Sequence, residues 1–305
     1  MPRPPIRARL HRVSGVAIND LRKLDRPRGD ETRVLCLAAG AIRLDGLDGA
    51  LADALARRWG GYLCRDVADD PSHTMRVFSA GPGCWITPEP GEHYRIEAFN
   101  DAARRVIASY HFALCEETDA VTWRVALREG SDEPAARMLE NAVRYVVSRI
   151  ALEQQGWAMH AASVLREGRA YLFAGPSGAG KSTAAALCGT EGEIGDDFAM
   201  LVRRDGDWLV PAMPFNNAGR VDGPPVEGLF PLAGVWRVYQ APHASVERPP
   251  RGPAVASLMG CAAFPWTVPE MADILLARTS ELVAEGKFAH LHFARDSDLW
   301  SVLLC

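Results

Sequence analysis

A glycine-rich segment followed by lysine and serine constrains the fold of this chain more than any other feature. The sequence Gly-Pro-Ser-Gly-Ala-Gly-Lys-Ser, residues 175–182, fits the pattern G-x-x-x-x-G-K-[ST]. An apolar run over residues 171–174 precedes it, and an alanine-rich run over residues 184–187 follows it. This order of buried strand, glycine-rich turn and helix is the one that a phosphate-binding loop requires. The segment therefore predicts an α/β fold with a phosphate-binding turn.

The residue types in this segment suit a nucleoside triphosphate. Glycines let the backbone curl so that successive N–H groups point towards phosphate oxygens. Lys181 is expected to reach the β- and γ-phosphates, and the Ser182 hydroxyl to hold Mg²⁺. The alternative is a glycine-rich turn with an unrelated lysine, and the order of strand, turn and helix disfavours it. The predicted nucleotide-binding residues are Gly175, Pro176, Ser177, Gly178, Ala179, Gly180, Lys181, Ser182 and Thr183.

Two adjacent acids, Asp196 and Asp197, end a short apolar run beyond this segment. Neighbouring side chains on a strand point apart, so one carboxylate can approach a metal and the other an acceptor hydroxyl. Phosphoryl transfer needs both groups, whereas a pair of acids that only caps the strand is the alternative. His160 lies on the strand before the glycine-rich segment. A lone histidine is usually a core residue, but hairpin pairing would return this one towards the phosphates.

Composition and charge exclude several classes of protein. The net charge of the 305 residues is −4, which argues against bulk binding of nucleic acid. Residues 1–30 carry a net charge of +5 and predict a basic flexible arm, with contact to an anionic partner as the alternative. The seven cysteines form no C-x-x-C pair, which favours reduced thiols in a cytoplasmic protein. We expect no signal peptide and no membrane span.

The remaining pattern predicts a smaller α+β N-terminal domain over residues 31–130 and a catalytic domain over residues 131–305. Ser131 is the expected N-cap of a long helix at their boundary, and a helix is also expected over residues 47–59. His290-x-His292 offers two ligands on one expected edge strand, residues 288–293, but no third ligand is visible in the sequence. The expected strands cover residues 34–38, 41–44, 75–78, 84–87, 94–98, 106–114, 122–127, 157–165, 193–202 and 232–240.

Three motifs together resemble a known family. His160-Ala-Ala, residues 175–182 and Gly195-Asp196-Asp197 are similar to the catalytic domain of HPr kinase/phosphorylase. The resemblance covers residues 157–302, and residues 1–130 do not resemble the N-terminal domain of that enzyme. It implies a P-loop catalytic domain of the HPr kinase/PEP carboxykinase-like fold. It also implies ATP- and Mg²⁺-dependent transfer of the γ-phosphate to a hydroxyl, with serine on a protein or peptide as the expected acceptor.

The resemblance assigns roles to five residues. His160 matches the active-site histidine, Lys181 the phosphate-loop lysine and Ser182 the Mg²⁺-binding hydroxyl. Asp196 matches the aspartate that accepts the acceptor's proton and returns it in phosphorolysis. Asp197 matches the acid near the metal. Hexamers occur in this family, so a homo-oligomer is a further expectation.

The chain departs from the family at a second metal ligand. The family has a metal-binding glutamate in a Glu-x-Arg-Gly segment, and the nearest counterpart is Glu227, which lacks the arginine. The missing arginine weakens the expectation of a second metal contact and of phosphorylase activity. Two alternatives stay open. One is a non-catalytic, nucleotide-sensing partner protein, and the other is phosphotransfer of the PEP carboxykinase type. The foreign N-terminal region is expected to recruit a substrate.

Overall fold

A computed structural model describes residues 21–64, 71–81, 85–86, 95–101, 104–189, 192–216, 226–264 and 269–304. Within these residues the chain forms an eight-stranded sheet and a nine-stranded sheet, with helices packed against them. The general α/β class expected from the sequence is therefore confirmed. Residues 1–20 of the expected arm lie outside the described residues, as do residues 84 and 87 of the expected strand over residues 84–87.

The first sheet is built from the first part of the chain, and its strand order is β3-β1-β2-β4-β8-β7-β6-β5. Neighbouring strands are antiparallel except for the parallel pairs β2–β4 and β4–β8. Its strands are β1 Glu31–Leu37, β2 Gly40–Leu47, β3 Leu63–Cys64, β4 His73–Ala80, β5 Glu97–Asp101, β6 Arg104–Ala108, β7 Phe112–Glu116 and β8 Thr122–Arg128.

Two helices pack on this sheet. Helix α1, Gly49–Trp59, begins at Asp48, whose side chain accepts a hydrogen bond from the backbone N–H of Leu51. Helix α2, Ala135–Glu153, contacts β7 and β8 of the first sheet and also reaches the second sheet. Pro134, not Ser131, stands at its N-cap position. The Ser131 hydroxyl instead accepts a hydrogen bond from the N–H of Glu133, so the expected cap at Ser131 was wrong.

The second sheet follows the order β12-β10-β11-β15-β14-β13-β9, and β17 pairs with both β15 and β16. β11, β15 and β17 are parallel, whereas the other pairs are antiparallel. Its strands are β9 Trp157–Met159, β10 Ala161–Arg166, β11 Arg169–Ala174, β12 Gly192–Gly195, β13 Ala199–Arg204, β14 Asp207–Pro211, β15 Leu229–Gln240, β16 Ser245–Glu247 and β17 Phe288–Phe293. Its helices are α3 Lys181–Leu187, α4 Arg251–Met259, α5 Pro269–Ala284 and α6 Trp300–Leu303.

Four sequence expectations differ from the observed elements. The strand expected over residues 106–114 is two strands, because the chain turns where the backbone N–H of Ser109 donates a hydrogen bond to the carbonyl of Phe112. The strands expected over residues 157–165 and 193–202 are each broken in the middle. β17 is not a free edge, since β16 pairs along it.

Residues 21–30 lie against the first sheet instead of forming the end of an arm. Leu21 is buried. The guanidinium of Arg124 on β8 donates hydrogen bonds to the carbonyls of Leu21 and Leu24. Arg28 forms an ion pair with Asp48 at the start of α1. These contacts attach the segment that precedes β1 to the sheet.

One continuous apolar cluster joins the two sheets. It contains inward side chains from both sheets and from α2, such as Trp123, Tyr145 and Trp157. A second cluster lies on the opposite face of the second sheet, where α3 and α6 pack against β10, β11, β15 and β17. Helix α2 therefore forms the layer that both sheets share. The division into two domains stays a prediction. Within the described part of the chain, no helix combines the length and apolarity that crossing a bilayer demands.

Candidate active site

The glycine-rich segment connects the end of β11 to the start of α3. Gly175, Gly178 and Gly180 all have positive φ, which other residues adopt only with strain. At Gly180 φ is 104°, and a Cβ atom there would lie 3.0 Å from Cζ of Phe293. Gly180 therefore lets the loop pass close to β17.

Lys181, the first residue of α3, is held inside this loop. Its side chain is only 6% exposed. Nζ donates a hydrogen bond to the carbonyl oxygen of Pro176 at 3.1 Å and lies 3.5 Å from Oδ1 of Asp197. A buried ammonium is costly unless it is paired, so these two contacts keep the charge at the mouth of the loop.

Ser182 and Asp196 meet beside the lysine. The Ser182 hydroxyl donates a hydrogen bond to Oδ1 of Asp196 at 2.8 Å. Asp196 is buried, and its backbone N–H donates to the carbonyl of Phe215 at 3.0 Å. A hydroxyl and a carboxylate oxygen at this separation offer the hard oxygen ligands that Mg²⁺ prefers. The site therefore has a donor set that fits a magnesium ion.

The acids and the histidine emerge where two antiparallel segments separate. Met159 on β9 pairs with Ala199 on β13, and Ser163 on β10 pairs with Gly195 on β12. Between these two pairs the strands are interrupted on both sides, at residue 160 and at residues 196–198. The backbone N–H of His160 turns to the carbonyl of Cys261 at 2.8 Å. The opening presents His160, Asp196 and Asp197 beside the loop.

Asp197 combines an unfavourable backbone conformation with contacts to two cations. Its φ is 68°, in the left-handed region that aspartate tolerates better than most residues. Its carboxylate lies between Nζ of Lys181, at 3.5 Å, and Nη1 of Arg144 on α2, at 3.6 Å. Residues held in sparsely populated conformations cluster at active sites. This geometry aims the carboxylate at the loop.

His160 is exposed to solvent, yet the surrounding protein still affects its charge. Desolvation by that protein lowers the pKa of the imidazole, and the charges of Lys181 and Arg144 act in the same direction. The Asp197 charge and a hydrogen bond to the Asp197 backbone oppose this lowering without cancelling it. The ring is therefore neutral at physiological pH. A neutral ring that donates one N–H to a carbonyl retains its other nitrogen as a proton acceptor.

A buried network of charges connects this site to the first sheet. Glu140 on α2 is 2% exposed. Its carboxylate accepts hydrogen bonds from the guanidinium of Arg58 on α1 and from Nε1 of Trp59. It also accepts one from Nη2 of Arg144 at 2.9 Å. Because Arg144 in turn faces Asp197, α1 and α2 together orient a cation at the site.

A cavity of about 630 Å³ opens over the loop. It lies at the carboxyl ends of the parallel strands β11, β15 and β17, where ligands of open α/β sheets bind. Arg295 and Gln240 were missed from the sequence, because nothing in the motif pointed to residues that follow distant strands. The lining residues are Ser177, Gly178, Gly180, Lys181, Ser182, Thr183, Asp197, Gln240, Ala241, Phe293, Ala294 and Arg295. Asp196 adjoins this cavity through its contact with Ser182, and His160 adjoins it through its contact with Asp197.

Glu227 lies elsewhere. It is exposed and lines a separate cavity of about 480 Å³ with Cys36, Tyr62 and Cys64. Burial raises the pKa of Tyr62, a hydrogen bond to Val226 opposes this, and the charge of Glu227 raises it further. Among the described contacts, none joins Glu227 to Lys181 or Ser182. The structure does not bring this expected metal ligand to the loop.

The candidate site therefore consists of the glycine-rich loop, Lys181, Ser182, the two acids and His160, supported by Arg144. The role of each residue stays a prediction. A scan against protein-family models finds no model that matches the chain, and a search of curated proteins likewise finds no match.

Proposed function

We propose that this chain is an ATP- and Mg²⁺-dependent kinase that transfers the γ-phosphate to a hydroxyl of a protein or peptide, with serine as the preferred acceptor. We further propose that residues 131–305 form a P-loop catalytic domain of the HPr kinase/PEP carboxykinase-like type. One observation carries the proposal. Lys181, Ser182 and Asp197 line a single cavity over a loop whose glycines have positive φ, and Asp196 contacts Ser182 beside it.

The loop and its cations bind the triphosphate in this proposal. Backbone N–H groups of the glycine-rich turn face the phosphate oxygens. Lys181 exchanges its contacts with Pro176 and Asp197 for the β- and γ-phosphates, so its charge is already in place when the nucleotide enters. Arg295, which also lines the cavity, adds a second cation for the phosphates. Fixed charges of this kind stabilise a transition state without costly rearrangement.

Ser182 and Asp196 are the residues that would hold magnesium. Their oxygen atoms are 2.8 Å apart, and both belong to the ligand class that this ion prefers. When bound, the ion neutralises charge on the β- and γ-phosphate oxygens. Asp196 is buried beneath the Ser182 hydroxyl, which restricts its carboxylate to that side of the loop.

The contacts favour a division of labour between the acids that differs from the one the resemblance implies. The resemblance gives the acceptor's proton to Asp196 and the metal to Asp197. In the structure Asp196 accepts a hydrogen bond from the Ser182 hydroxyl, whereas Asp197 lies beside His160. We therefore assign the metal side to Asp196 and the acceptor side to Asp197 and His160. The neutral imidazole is the better proton acceptor of the two, because Asp197 is paired with two cations.

The remaining parts of the proposal concern the surroundings of the kinase. Residues 31–130 present a separate sheet that does not supply loop residues, which suits a module that recruits the acceptor. Reduced thiols and the use of ATP fit the cytoplasm. We propose no nucleic-acid or membrane partner, and we propose a homo-oligomer only from the family resemblance.

The proposal is tested by incubating the full chain with γ-³²P-ATP, Mg²⁺ and an immobilised library of serine-containing peptides. We expect label on a subset of peptides and a loss of about 100-fold or more in Lys181→Ala, since removal of one electrostatic stabiliser has that effect. Lys287→Ala is the matched control, because Lys287 donates to the carbonyl of Leu232 far along β15 from the loop. Equal labelling by Lys181→Ala and wild type would overturn the proposal.

A second candidate function is nucleotide sensing without transfer, and the position of Glu227 favours it. A sensor needs the loop, Lys181 and Ser182 but no second metal contact and no proton acceptor. It predicts calorimetric binding of Mg²⁺-ATP with no labelled peptide in the library. Both proposals predict that His160→Asn binds nucleotide as wild type does. They differ in transfer: the kinase proposal requires that wild type labels peptides and that His160→Asn does not.

A further inference from the structure

A second cluster of potential ligands lies on the nine-stranded sheet, outside the loop site. His290 and His292 are two residues apart on β17, so their side chains project from the same face. β16 runs antiparallel beside them, and Glu247 is paired with His290. The sequence showed the two histidines but no third ligand. Strand pairing supplies Glu247, a residue more than forty positions away.

The three side chains are close enough to share one ion. One ligand atom from each of Glu247, His290 and His292 lies within 4.8 Å of the other two. Oε2 of Glu247 and Nε2 of His292 are 3.5 Å apart. Ligand atoms about 2.0–2.1 Å from a tetrahedral zinc ion are about 3.3 Å from one another. Small side-chain rotations therefore convert the observed cluster into a coordination shell.

Neighbouring residues fix the two rings. The Ser257 hydroxyl on α4 lies 2.9 Å from Nε2 of His290, and Arg237 donates to the Ser257 hydroxyl at 3.1 Å. The Tyr239 ring stacks on His292, with centroids 5.2 Å apart and planes inclined by 17°. Metal-binding histidines commonly use one ring nitrogen for such a supporting hydrogen bond and the other for the metal. The support is present before any ion binds.

We propose that Glu247, His290 and His292 form a zinc site, with water as the fourth ligand. Two imidazoles and one carboxylate are a donor set that zinc accepts in tetrahedral geometry. The side chain of Glu247 is 62% exposed and that of His292 is 31% exposed, so an ion reaches the site from solution. None of the three ligands belongs to the loop site, so this proposal does not rest on the kinase proposal.

The site would fasten β16 to β17. β16 has only three residues, Ser245–Glu247, and a strand that short gains little from its own pairing. On the opposite face of β17, Phe293 touches Gly180 of the loop, and Arg295 follows at the cavity. Zinc on one face therefore rigidifies the strand whose other face closes the nucleotide cavity.

The proposal is tested by titrating the full-length protein with Zn²⁺ in the presence of a chromophoric zinc indicator and excess Mg²⁺. We expect one zinc ion per chain and a loss of affinity of about 100-fold in His292→Ala, because one of three ligands is removed. Glu247→Gln should weaken binding as well. Ser257→Ala should cost about tenfold or more, since it removes only a supporting hydrogen bond. His243→Ala is the matched control, because His243 is an exposed histidine on the turn before β16.

A competing zinc site must be distinguished. The thiols of Cys36 and Cys64 lie 3.6 Å apart near the surface and are the obvious alternative ligands. Cys36→Ser should therefore bind zinc as wild type does, and the Co²⁺-substituted protein should show tetrahedral d–d bands without a thiolate charge-transfer band. Circular dichroism establishes that each variant is folded. Unchanged affinity in His292→Ala, loss of binding in Cys36→Ser or no stoichiometric zinc would overturn the proposal.

Discussion

The two sheets of this molecule differ in the continuity of their strands. In the first sheet, β1, β2, β4 and β8 run without interruption and use their side chains for the core. In the second sheet, two neighbouring chain segments pair, separate and pair again. The residues in the resulting opening are His160, Asp196 and Asp197. The candidate chemistry thus lies in the sheet in which two paired segments separate between their ladders.

The difference shows what a strand break provides. A residue inside a ladder has its backbone groups satisfied by its neighbours and its side chain directed at one face. A residue in the opening can take an unusual backbone angle, as Asp197 does with φ of 68°. Its backbone can also bond elsewhere, as the N–H of His160 does with Cys261. The break directs polar side chains towards the loop at the point where the paired segments separate.

The largest expected effect tests how tightly the second sheet is built around its break. Gly156 connects α2 to β9, and a Cβ atom there would lie 1.8 Å from the carbonyl oxygen of Leu201 on β13. Since that neighbour is backbone, it cannot move aside without disrupting the sheet. We expect Gly156→Ala to reduce the free energy of unfolding by about 4 kcal/mol or more, measured by urea denaturation.

Gly168→Ala is the matched control for this substitution. Gly168 lies in the turn between β10 and β11, and a Cβ atom there would meet nothing within 4 Å. Its φ of 68° still makes alanine strained, so we expect a cost of about 1 kcal/mol. If both substitutions had equal cost, the junction before β9 would be no tighter than an open turn.

The next prediction tests whether the helices that pack on the first sheet also support the candidate site in the second sheet. The buried carboxylate of Glu140 accepts hydrogen bonds from the guanidinium groups of Arg58 on α1 and of Arg144 at the site. Glu140→Gln removes the buried negative charge that the guanidinium groups of Arg58 and Arg144 share. We expect a loss of about 3 kcal/mol or more in the free energy of unfolding, because breaking a buried ion pair has that cost.

Glu281→Gln provides the comparison for Glu140→Gln. Glu281 also pairs with two arginines, Arg203 and Arg278, but its side chain is 42% exposed. An exposed pair contributes about 1 kcal/mol or less. Nucleotide binding should weaken in Glu140→Gln and stay unchanged in Glu281→Gln. Normal binding in a folded Glu140→Gln protein would show that α1 and α2 do not orient the site.

A smaller effect is expected from the strained acid itself. Asp197→Asn keeps a side chain that tolerates the left-handed region but removes the charge between Lys181 and Arg144. We expect peptide labelling from γ-³²P-ATP to fall about 100-fold, since one electrostatic contact at the reacting groups is lost. Asp205→Asn is the control, because Asp205 also has positive φ, at 52°, but lies in the exposed turn between β13 and β14. Parallel losses in both variants would mean that the effect does not come from the charge between Lys181 and Arg144.

Sequence patterns predicted the elements better than the places where they are interrupted. The strand, glycine-rich turn and helix around Lys181 were predicted because each has its own local signal. The break at His160 was not, since residues 157–165 form one apolar run that fits either one strand or two. Glu247, Arg144 and Arg295 were also missed. Their importance arises from strand pairing and helix packing between distant parts of the chain, which a local pattern does not contain.

The smallest expected effect concerns the charge of His160. Its pKa in the folded protein lies below the ordinary value of 6.5. As pH falls below 6.5, the unfolded chain therefore binds a proton that the folded chain does not. The contribution of this residue to stability is present above that pH and decreases as pH falls towards the folded pKa. We expect the free energy of unfolding to decrease less steeply with acidification in His160→Asn than in wild type, measured by urea denaturation between about pH 5 and 7.5.

His243→Asn separates this effect from the general response of histidines to acid. His243 is an exposed histidine on the turn before β16, outside the strand break. His290 is a second group whose pKa is lowered, first by burial, and His290→Asn should remove a separate part of the slope. If His160→Asn has the same pH dependence as wild type, the difference in proton binding between the folded and unfolded chains lies at His290 on β17 and not at His160. Peptide labelling that persists undiminished in His160→Asn would contradict the imidazole as the proton acceptor.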